Sequence, residues 1–66
     1  MELTINGKKT TIEGVTTIAE LIAARGLKRG LVAVEQNGQI VPRDEFERRR
    51  LASGDRLEIV HFVGGG

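Results

Sequence analysis

The sequence contains no cysteine among its 66 residues. This absence excludes a disulfide framework and any thiol-based redox, metal or nucleophilic chemistry on its own side chains. The sequence also has no apolar run near the roughly 18 residues that a membrane span requires, and no signal-peptide apolar segment follows Met1. We therefore expect no membrane association, and a cytoplasmic location follows by default.

An excess of charge of one sign is also missing. Ten basic and nine acidic side chains give a formal net charge of +1. The basic run Arg48-Arg49-Arg50 has no interleaved aromatic residues, so we interpret it as a solvated face and expect no nucleic-acid binding. No metal-ligand spacing, carboxylate pair or Ser/His/Asp set stands out, so we expect no metal, no bound cofactor and no enzymatic activity of the chain itself. His61, the one histidine, we interpret as a strand-end packing residue and not as a general base.

The patterns that are present predict one small domain of five strands and a helix. Asn6-Gly7 and Asn37-Gly38 each lie between runs that contain β-branched residues, which predicts two β-hairpins. We assign both Asn residues to turn formation alone. Thr17 and Glu20 have the spacing of a capping box, which predicts a helix from about residue 18 to residue 25. We expect this helix to lie across one face of the sheet.

The last third of the sequence predicts a turn-like or short helical segment followed by a strand. Residues 43–50 are highly charged, and Phe46 and Leu51 are their expected buried contacts. The turn Ser53-Gly54-Asp55 precedes a final strand over residues 56–62. The resulting order, ββαββ, a turn or short helix, then β, predicts an α+β fold with a mixed sheet. This is the β-grasp (ubiquitin-like) arrangement, with a domain over residues 1–63 and a glycine arm over residues 64–66.

The glycine arm Gly64-Gly65-Gly66 is the feature that points to chemistry. Glycines have no Cβ, so such an arm can enter a narrow cleft that would reject other residues. The Gly66 carboxylate is a poor acyl donor, but attack on the α-phosphate of ATP would give an acyl-adenylate that a sulfur nucleophile can displace. Gly66 is thus the expected site of modification, and Gly64 and Gly65 are expected to thread into the partner's active site. The competing interpretation is a frayed chain end.

Alternation along the final strand predicts a docking patch beside this arm. Leu57 and Ile59 should face the helix, whereas Glu58, Val60 and Phe62 should lie on the open face. Ala33 and Glu35 should lie on the same face, and exposed apolar clusters often mark partner sites. The competing interpretation is that Phe62 folds back onto the core.

Taken together, these residues resemble a known family, the ThiS sulfur carrier proteins of thiamin (thiazole) biosynthesis. The resemblance covers the whole chain and rests on four segments besides its length and order of elements: residues 33–38, residues 40–43, the turn at 53–55, and Ile59-Val60-His61-Phe62-Val63-Gly64-Gly65-Gly66. It implies that an ATP-dependent adenylating (E1-like) enzyme activates Gly66. It also implies that sulfur reaches Gly66 from cysteine through a donor such as a cysteine desulfurase, and that the thiocarboxylate serves thiazole synthase. The carrier would be a protein cosubstrate, and the ATP would belong to its partner.

Three other functions stay open at this point. The sulfur could serve molybdopterin synthesis or tRNA thiolation. The chain could be a ubiquitin-like modifier that is conjugated through Gly66. It could also be a β-grasp binding module that does not use its terminus.

Overall fold

The computed structural model describes residues 1–62. Five strands form one mixed sheet in the order β2-β1-β5-β3-β4, in which β1 and β5 are parallel and the other neighbours are antiparallel. The strands are β1 (Glu2–Ile5), β2 (Lys8–Thr11), β3 (Val32–Gln36), β4 (Gln39–Val41) and β5 (Arg56–His61). The helix α1 spans Ile18–Ala24, and short 3-10 helices span Arg29–Leu31 and Arg43–Glu45. The predicted α+β class and β-grasp order are confirmed. Val63 and Gly64–Gly66, and with them the predicted boundary between domain and arm, lie outside the described residues.

Both predicted hairpins form around their Asn-Gly pairs. Asn6 and Gly7 have φ angles of 50° and 79°, and Asn37 and Gly38 have φ angles of 52° and 84°. Two consecutive positive φ angles define the type I′ turn, whose twist matches that of the flanking strands. Each turn fixes the register of its hairpin, so that Ile5 pairs with Lys8 and Gln36 pairs with Gln39.

The helix begins at the predicted capping box. The Thr17 side chain accepts a hydrogen bond from the Glu20 amide at 3.2 Å, and the Glu20 carboxylate accepts from the Thr17 amide at 3.2 Å. Because the first amides of a helix have no intrahelical partner, this exchange stabilises the first turn. In the described part of the chain, no helix is long and apolar enough to cross a membrane.

The core lies between α1 and one face of the sheet. Ile18, Leu21 and Ile22 supply the apolar stripe of the helix, and Leu57 and Ile59 face it from β5, as alternation predicts. Phe46 is completely buried and Leu51 nearly so, which confirms both expectations for that segment. The buried apolar residues are Leu3, Ile5, Val15, Ile18, Leu21, Ile22, Val32, Val34, Val41, Phe46, Leu51, Leu57 and Ile59.

The 3-10 helix Arg29–Leu31 was not expected from the sequence, and contacts with a distant segment stabilise it. Arg29 donates from Nη2 to the Arg43 carbonyl at 3.0 Å, and Arg43 donates from Nε to the Arg29 carbonyl at 3.1 Å. The Arg29 guanidinium also lies 5.8 Å from the centroid of the Phe46 ring, within cation-π range. These contacts join the segment before β3 to the segment after β4.

Candidate functional site

The face of the sheet opposite α1 carries the predicted patch. Glu58, Val60 and Phe62 are exposed, with relative exposures of 53% for Val60 and 49% for Phe62. The interpretation that Phe62 folds back onto the core is therefore wrong. The alternation predicted for β5 is confirmed, while the docking role of its outward residues stays a prediction.

Strand pairing brings residues of β3 to the same place. In the antiparallel β3–β5 pair, Ala33 lies opposite Val60 and Glu35 lies opposite Glu58. Residues directly opposite one another in such a pair have Cβ atoms about 4.5–5.5 Å apart and share a face of the sheet. Ala33, Glu35, Glu58 and Val60 are thus neighbours on one surface, although they come from strands about 25 residues apart in sequence, and Phe62 is exposed directly after the end of β5.

Ile40 belongs to the same surface and was missed by the sequence analysis. It lies opposite Glu35 in the β3–β4 pair and is 75% exposed. The register set by the Asn37-Gly38 turn could have revealed this, because a two-residue turn that pairs 36 with 39 also pairs 35 with 40. We refer to Ala33, Glu35, Ile40, Glu58, Val60 and Phe62 as the open-face surface.

The open-face surface is not flat. Ala33 has a short side chain, whereas Ile40 and Val60 on the neighbouring strands have longer ones. A hollow of about 100 Å³ is lined by these three residues together with Val34, Glu35 and Glu58. This volume would accommodate an apolar side chain supplied from outside.

The open-face surface carries two carboxylates, those of Glu35 and Glu58. Ion pairs in residues 1–62 join Arg29 to Glu47 at 3.6 Å and Arg49 to Glu45 at 2.7 Å. Within these residues, neither Glu35 nor Glu58 has a basic nitrogen within 4.0 Å. Arg56 precedes Glu58 by two residues on the same face of β5 and lines a second hollow together with Glu35 and Glu58, so a cationic side chain lies near the two carboxylates without forming an ion pair.

Asp55 holds the start of β5 and was predicted only as part of a turn. Its carboxylate accepts hydrogen bonds from Gln36 Nε2 at 2.9 Å, Asn37 Nδ2 at 3.0 Å and the Ala52 amide at 2.9 Å. Burial raises the pKa of this carboxyl, but the hydrogen bonds from Asn37, Ala52 and Gln36 outweigh burial and leave the pKa below its ordinary value. The charged form is thus the one that the fold stabilises.

The two turn Asn residues also hold β5, so their assignment to turn formation alone is wrong. Asn6 Oδ1 accepts from the Ile59 amide at 2.7 Å, and Asn6 Nδ2 donates to the Ile59 carbonyl at 3.1 Å. Asn37 Oδ1 accepts from the Arg56 amide at 2.9 Å. Sequence reasoning missed these bonds because an Asn-Gly turn accounts for the Asn by itself and gives no sign of a distant strand.

The residue that follows β5 is held by a backbone hydrogen bond. The Phe62 amide donates to the Leu31 carbonyl at 2.7 Å. The chain that continues into Val63 and Gly64–Gly66 therefore starts from a position that is bonded to Leu31, the residue directly before β3. The predictions for Gly64, Gly65 and Gly66 fall outside the described residues.

His61 is exposed at the end of β5. The expectation that it packs is wrong, because β5 continues past the core, whose last member on this strand is Ile59. In residues 1–62, no group of three or more His, Asp or Glu residues is placed to hold a metal ion.

The chain matches the family model described as ThiS family over residues 3–66. It is 40% identical to the sulfur carrier protein ThiS of Bacillus subtilis over 65 residues, which covers 97% of this chain and 98% of that protein. It is 39% identical to a thiazole synthase of Paramagnetospirillum magneticum over 66 residues. That match covers all of this chain, which spans only 20% of the length of the relative. The crystal structure of the thiamine biosynthesis protein (ThiS) from Geobacter metallireducens matches with a TM-score of 0.84 and 36% identity, covering 100% of both chains.

Proposed function

The chain belongs to the ThiS family, the sulfur carriers of thiamine biosynthesis, and from this premise we propose that it carries sulfur as a thiocarboxylate on Gly66. The observation that carries the proposal is the match over nearly the whole length of both chains to a sulfur carrier protein of the same size. The anchored strand β5 supports it, because that strand leads directly toward Gly64-Gly65-Gly66.

The proposed chemistry has two steps, both performed by partner enzymes. The Gly66 carboxylate attacks the α-phosphate of ATP, pyrophosphate leaves, and an acyl-adenylate forms. Sulfur at the sulfide level, which a thiol reductant releases from the persulfide of the donor with formation of a disulfide, then attacks the activated carbonyl carbon and displaces AMP, which leaves the thiocarboxylate. The chain acts as a protein cosubstrate in this scheme, and the ATP is bound by the E1-like adenylating enzyme.

Three partners follow from the proposal. An adenylating enzyme activates Gly66, a donor system such as a cysteine desulfurase supplies the sulfur, and thiazole synthase receives it. The third partner has support from a further relative besides that of Paramagnetospirillum magneticum. A thiazole synthase of Magnetococcus marinus is 36% identical to the entire chain, which again spans 20% of that protein. A carrier-like region within such proteins is consistent with direct contact between carrier and synthase.

Complementation of a thiamin-requiring strain that lacks its own carrier tests the proposal. The full chain should restore growth without thiamin, whereas the chain truncated after Gly64 should not. The truncation removes no residue of the described domain. The unfolding midpoint of the truncated chain should therefore equal that of the full chain. Growth supported by the truncated chain would show that the terminus is not the working group.

A further inference from the structure

The hydrogen bond from the Phe62 amide to the Leu31 carbonyl, at 2.7 Å, extends the β3–β5 pairing by one residue pair beyond Val32 and His61. Hydrogen bonds at the end of a strand open more readily than those within the sheet, because neighbouring bonds support them from one side only. The strength of this bond therefore depends on what fixes Leu31, the last residue of the 3-10 helix Arg29–Leu31.

A reciprocal pair of hydrogen bonds fixes that 3-10 helix. The guanidinium groups of Arg29 and Arg43 each donate to the backbone carbonyl of the other residue, at 3.0 Å and 3.1 Å. We refer to this pair of bonds as the arginine clasp. Fixing two long side chains costs conformational entropy, and bringing two like charges together costs electrostatic energy. The clasp therefore forms because of its hydrogen bonds and not because of its charges.

The clasp also connects Leu31 to the core. The Arg43 carbonyl accepts a second hydrogen bond, from the Phe46 amide at 3.2 Å, and the Phe46 side chain is completely buried. On the other side of the clasp, Arg29 begins the 3-10 helix that ends at Leu31. Continuous contacts thus lead from the buried Phe46 through the clasp to Leu31 and to its bond with Phe62.

We propose that Arg43 is a positioning residue for the activation of Gly66. Through the clasp it keeps the Leu31 carbonyl bonded to the Phe62 amide, and it thereby fixes the point at which the chain leaves the sheet. This inference rests on the proposed function. Gly66 follows Phe62 by four residues, which span at most roughly 14 Å. If the Phe62 bond opens, a further residue must be ordered before the carboxylate meets the α-phosphate of ATP, and this ordering costs conformational entropy.

The variants R43M and R43Q form a matched pair that tests the bond. Both remove the charge of Arg43, so any effect of that charge on partner binding is the same in both. The side-chain amide nitrogen of Gln lies as many bonds from the backbone as Nε of Arg, so R43Q keeps a donor for the Arg29 carbonyl, whereas Met has none. Hydrogen exchange of the Phe62 amide in the free chain measures the result. The exchange rate should rise about fivefold in R43M and should stay within about twofold of the unaltered chain in R43Q.

Activation kinetics with the carrier as the varied substrate separate positioning from a loss of stability. A carrier variant that is partly unfolded supplies less folded substrate, which raises KM and leaves kcat unchanged. A carrier whose terminus is poorly placed instead lowers kcat, because the saturated complex reaches the reacting geometry less often. In ATP-pyrophosphate exchange by the adenylating enzyme, R43M should lower kcat about fivefold with KM within about twofold, and R43Q should recover most of the loss.

The variant R48M is the control, because it makes the same substitution further along the same segment. Arg48 is exposed and forms no ion pair within residues 1–62. The exchange rate of the Phe62 amide and both kinetic constants should match those of the unaltered chain.

Each outcome decides the inference. Unchanged exchange of the Phe62 amide in R43M would overturn it, and so would an R43Q chain that behaves like R43M. A higher KM with an unchanged kcat would assign Arg43 to stability alone, which also contradicts the proposal. An unaltered chain that the adenylating enzyme and ATP leave unmodified would instead refute the proposed function, and with it the inference, whatever the exchange rates are.

Discussion

The side-chain amide of Asn6 is hydrogen-bonded to both backbone groups of Ile59, 53 residues further along the chain. The parallel pair β1–β5 has only the register partners Thr4 with Arg56 and Ile5 with Leu57. The Asn6 side chain extends this pairing, because its amide group bonds the Ile59 amide and carbonyl as the backbone of a further strand residue would. The first hairpin turn thus positions the strand that leads to the arm.

Replacing Asn6 by glycine should lower the free energy of unfolding by about 1–2 kcal/mol, because two hydrogen bonds are lost. Glycine tolerates the positive φ at this position, so the change isolates the side-chain bonds from backbone strain. Urea denaturation measures the loss. Asn6→Asp keeps an acceptor for the Ile59 amide but loses the donor to the Ile59 carbonyl. Its free energy of unfolding should therefore lie between that of the unaltered chain and that of the glycine variant. Equal stability of the glycine variant would show that the two bonds contribute nothing.

The Asp55 carboxylate should make the domain less stable in acid. Its pKa is lower in the folded chain than in the unfolded one, so its stabilising contribution is complete above the ordinary pKa of an unfolded aspartate. The contribution should be lost as the pH falls from about 5 through the lowered folded pKa. Thermal unfolding midpoints measured from pH 7 to pH 2 should therefore decrease more steeply for the unaltered chain than for Asp55→Asn.

Asp55→Asn should also be less stable at pH 7, by about 2–3 kcal/mol. Three donors converge on the carboxylate, and the amide group of Asn would oppose one of them with a donor of its own. A stable variant with an unaltered pH profile would show that the carboxylate does not organise the start of β5.

Phe62→Ala should weaken binding to the adenylating enzyme more than it weakens the fold. Phe62 is half exposed, so its truncation removes little buried area from the free domain. Phe46→Ala is the matched control, because Phe46 is completely buried and its loss should cost about 3–5 kcal/mol. Binding titrations and melting curves of both variants separate the two roles. A Phe62→Ala chain that melts like Phe46→Ala but still binds normally would contradict the predicted docking patch.

Gly65→Val should block activation of Gly66 without altering the fold. A β-branched side chain would not pass a cleft that accepts glycine, and the residue follows the described domain. Gly30→Ala is the control glycine substitution, because an added Cβ there meets no atom within 4 Å. ATP-pyrophosphate exchange by the adenylating enzyme measures the effect. Normal exchange with Gly65→Val would show that the partner does not enclose the arm narrowly.

The sequence predicts those parts of the molecule that local chemistry determines. The Asn-Gly turns, the capping box of Thr17 and Glu20, and the alternation of β5 each depend on a few neighbouring residues. The contacts that could not be predicted join distant segments. Asn6 with Ile59 is one example, and the exchange of bonds between Arg29 and Arg43 is another.

In the candidate site too, the sequence predicts the features that depend on one strand and misses those that depend on the pairing of two strands. Val60 and Phe62 follow from period-two alternation on one strand, whereas the carboxylate pair Glu35–Glu58 depends on the register between two strands. Alternation gives the face of each residue but not its neighbour across the sheet. Ile40 was missed because its place beside Glu35 follows from the register of the Asn37-Gly38 turn and not from alternation alone, although it is the most exposed of the large apolar residues in the described part of the chain.

The most direct test of the account is the intact mass of the chain after incubation with ATP, the adenylating enzyme and a sulfur source. Replacement of one carboxylate oxygen by sulfur should raise the mass by about 16 Da, and the increase should be absent from the chain truncated after Gly64. A mass that stays unchanged, or conjugates joined to other proteins through Gly66, would contradict the assignment as a sulfur carrier.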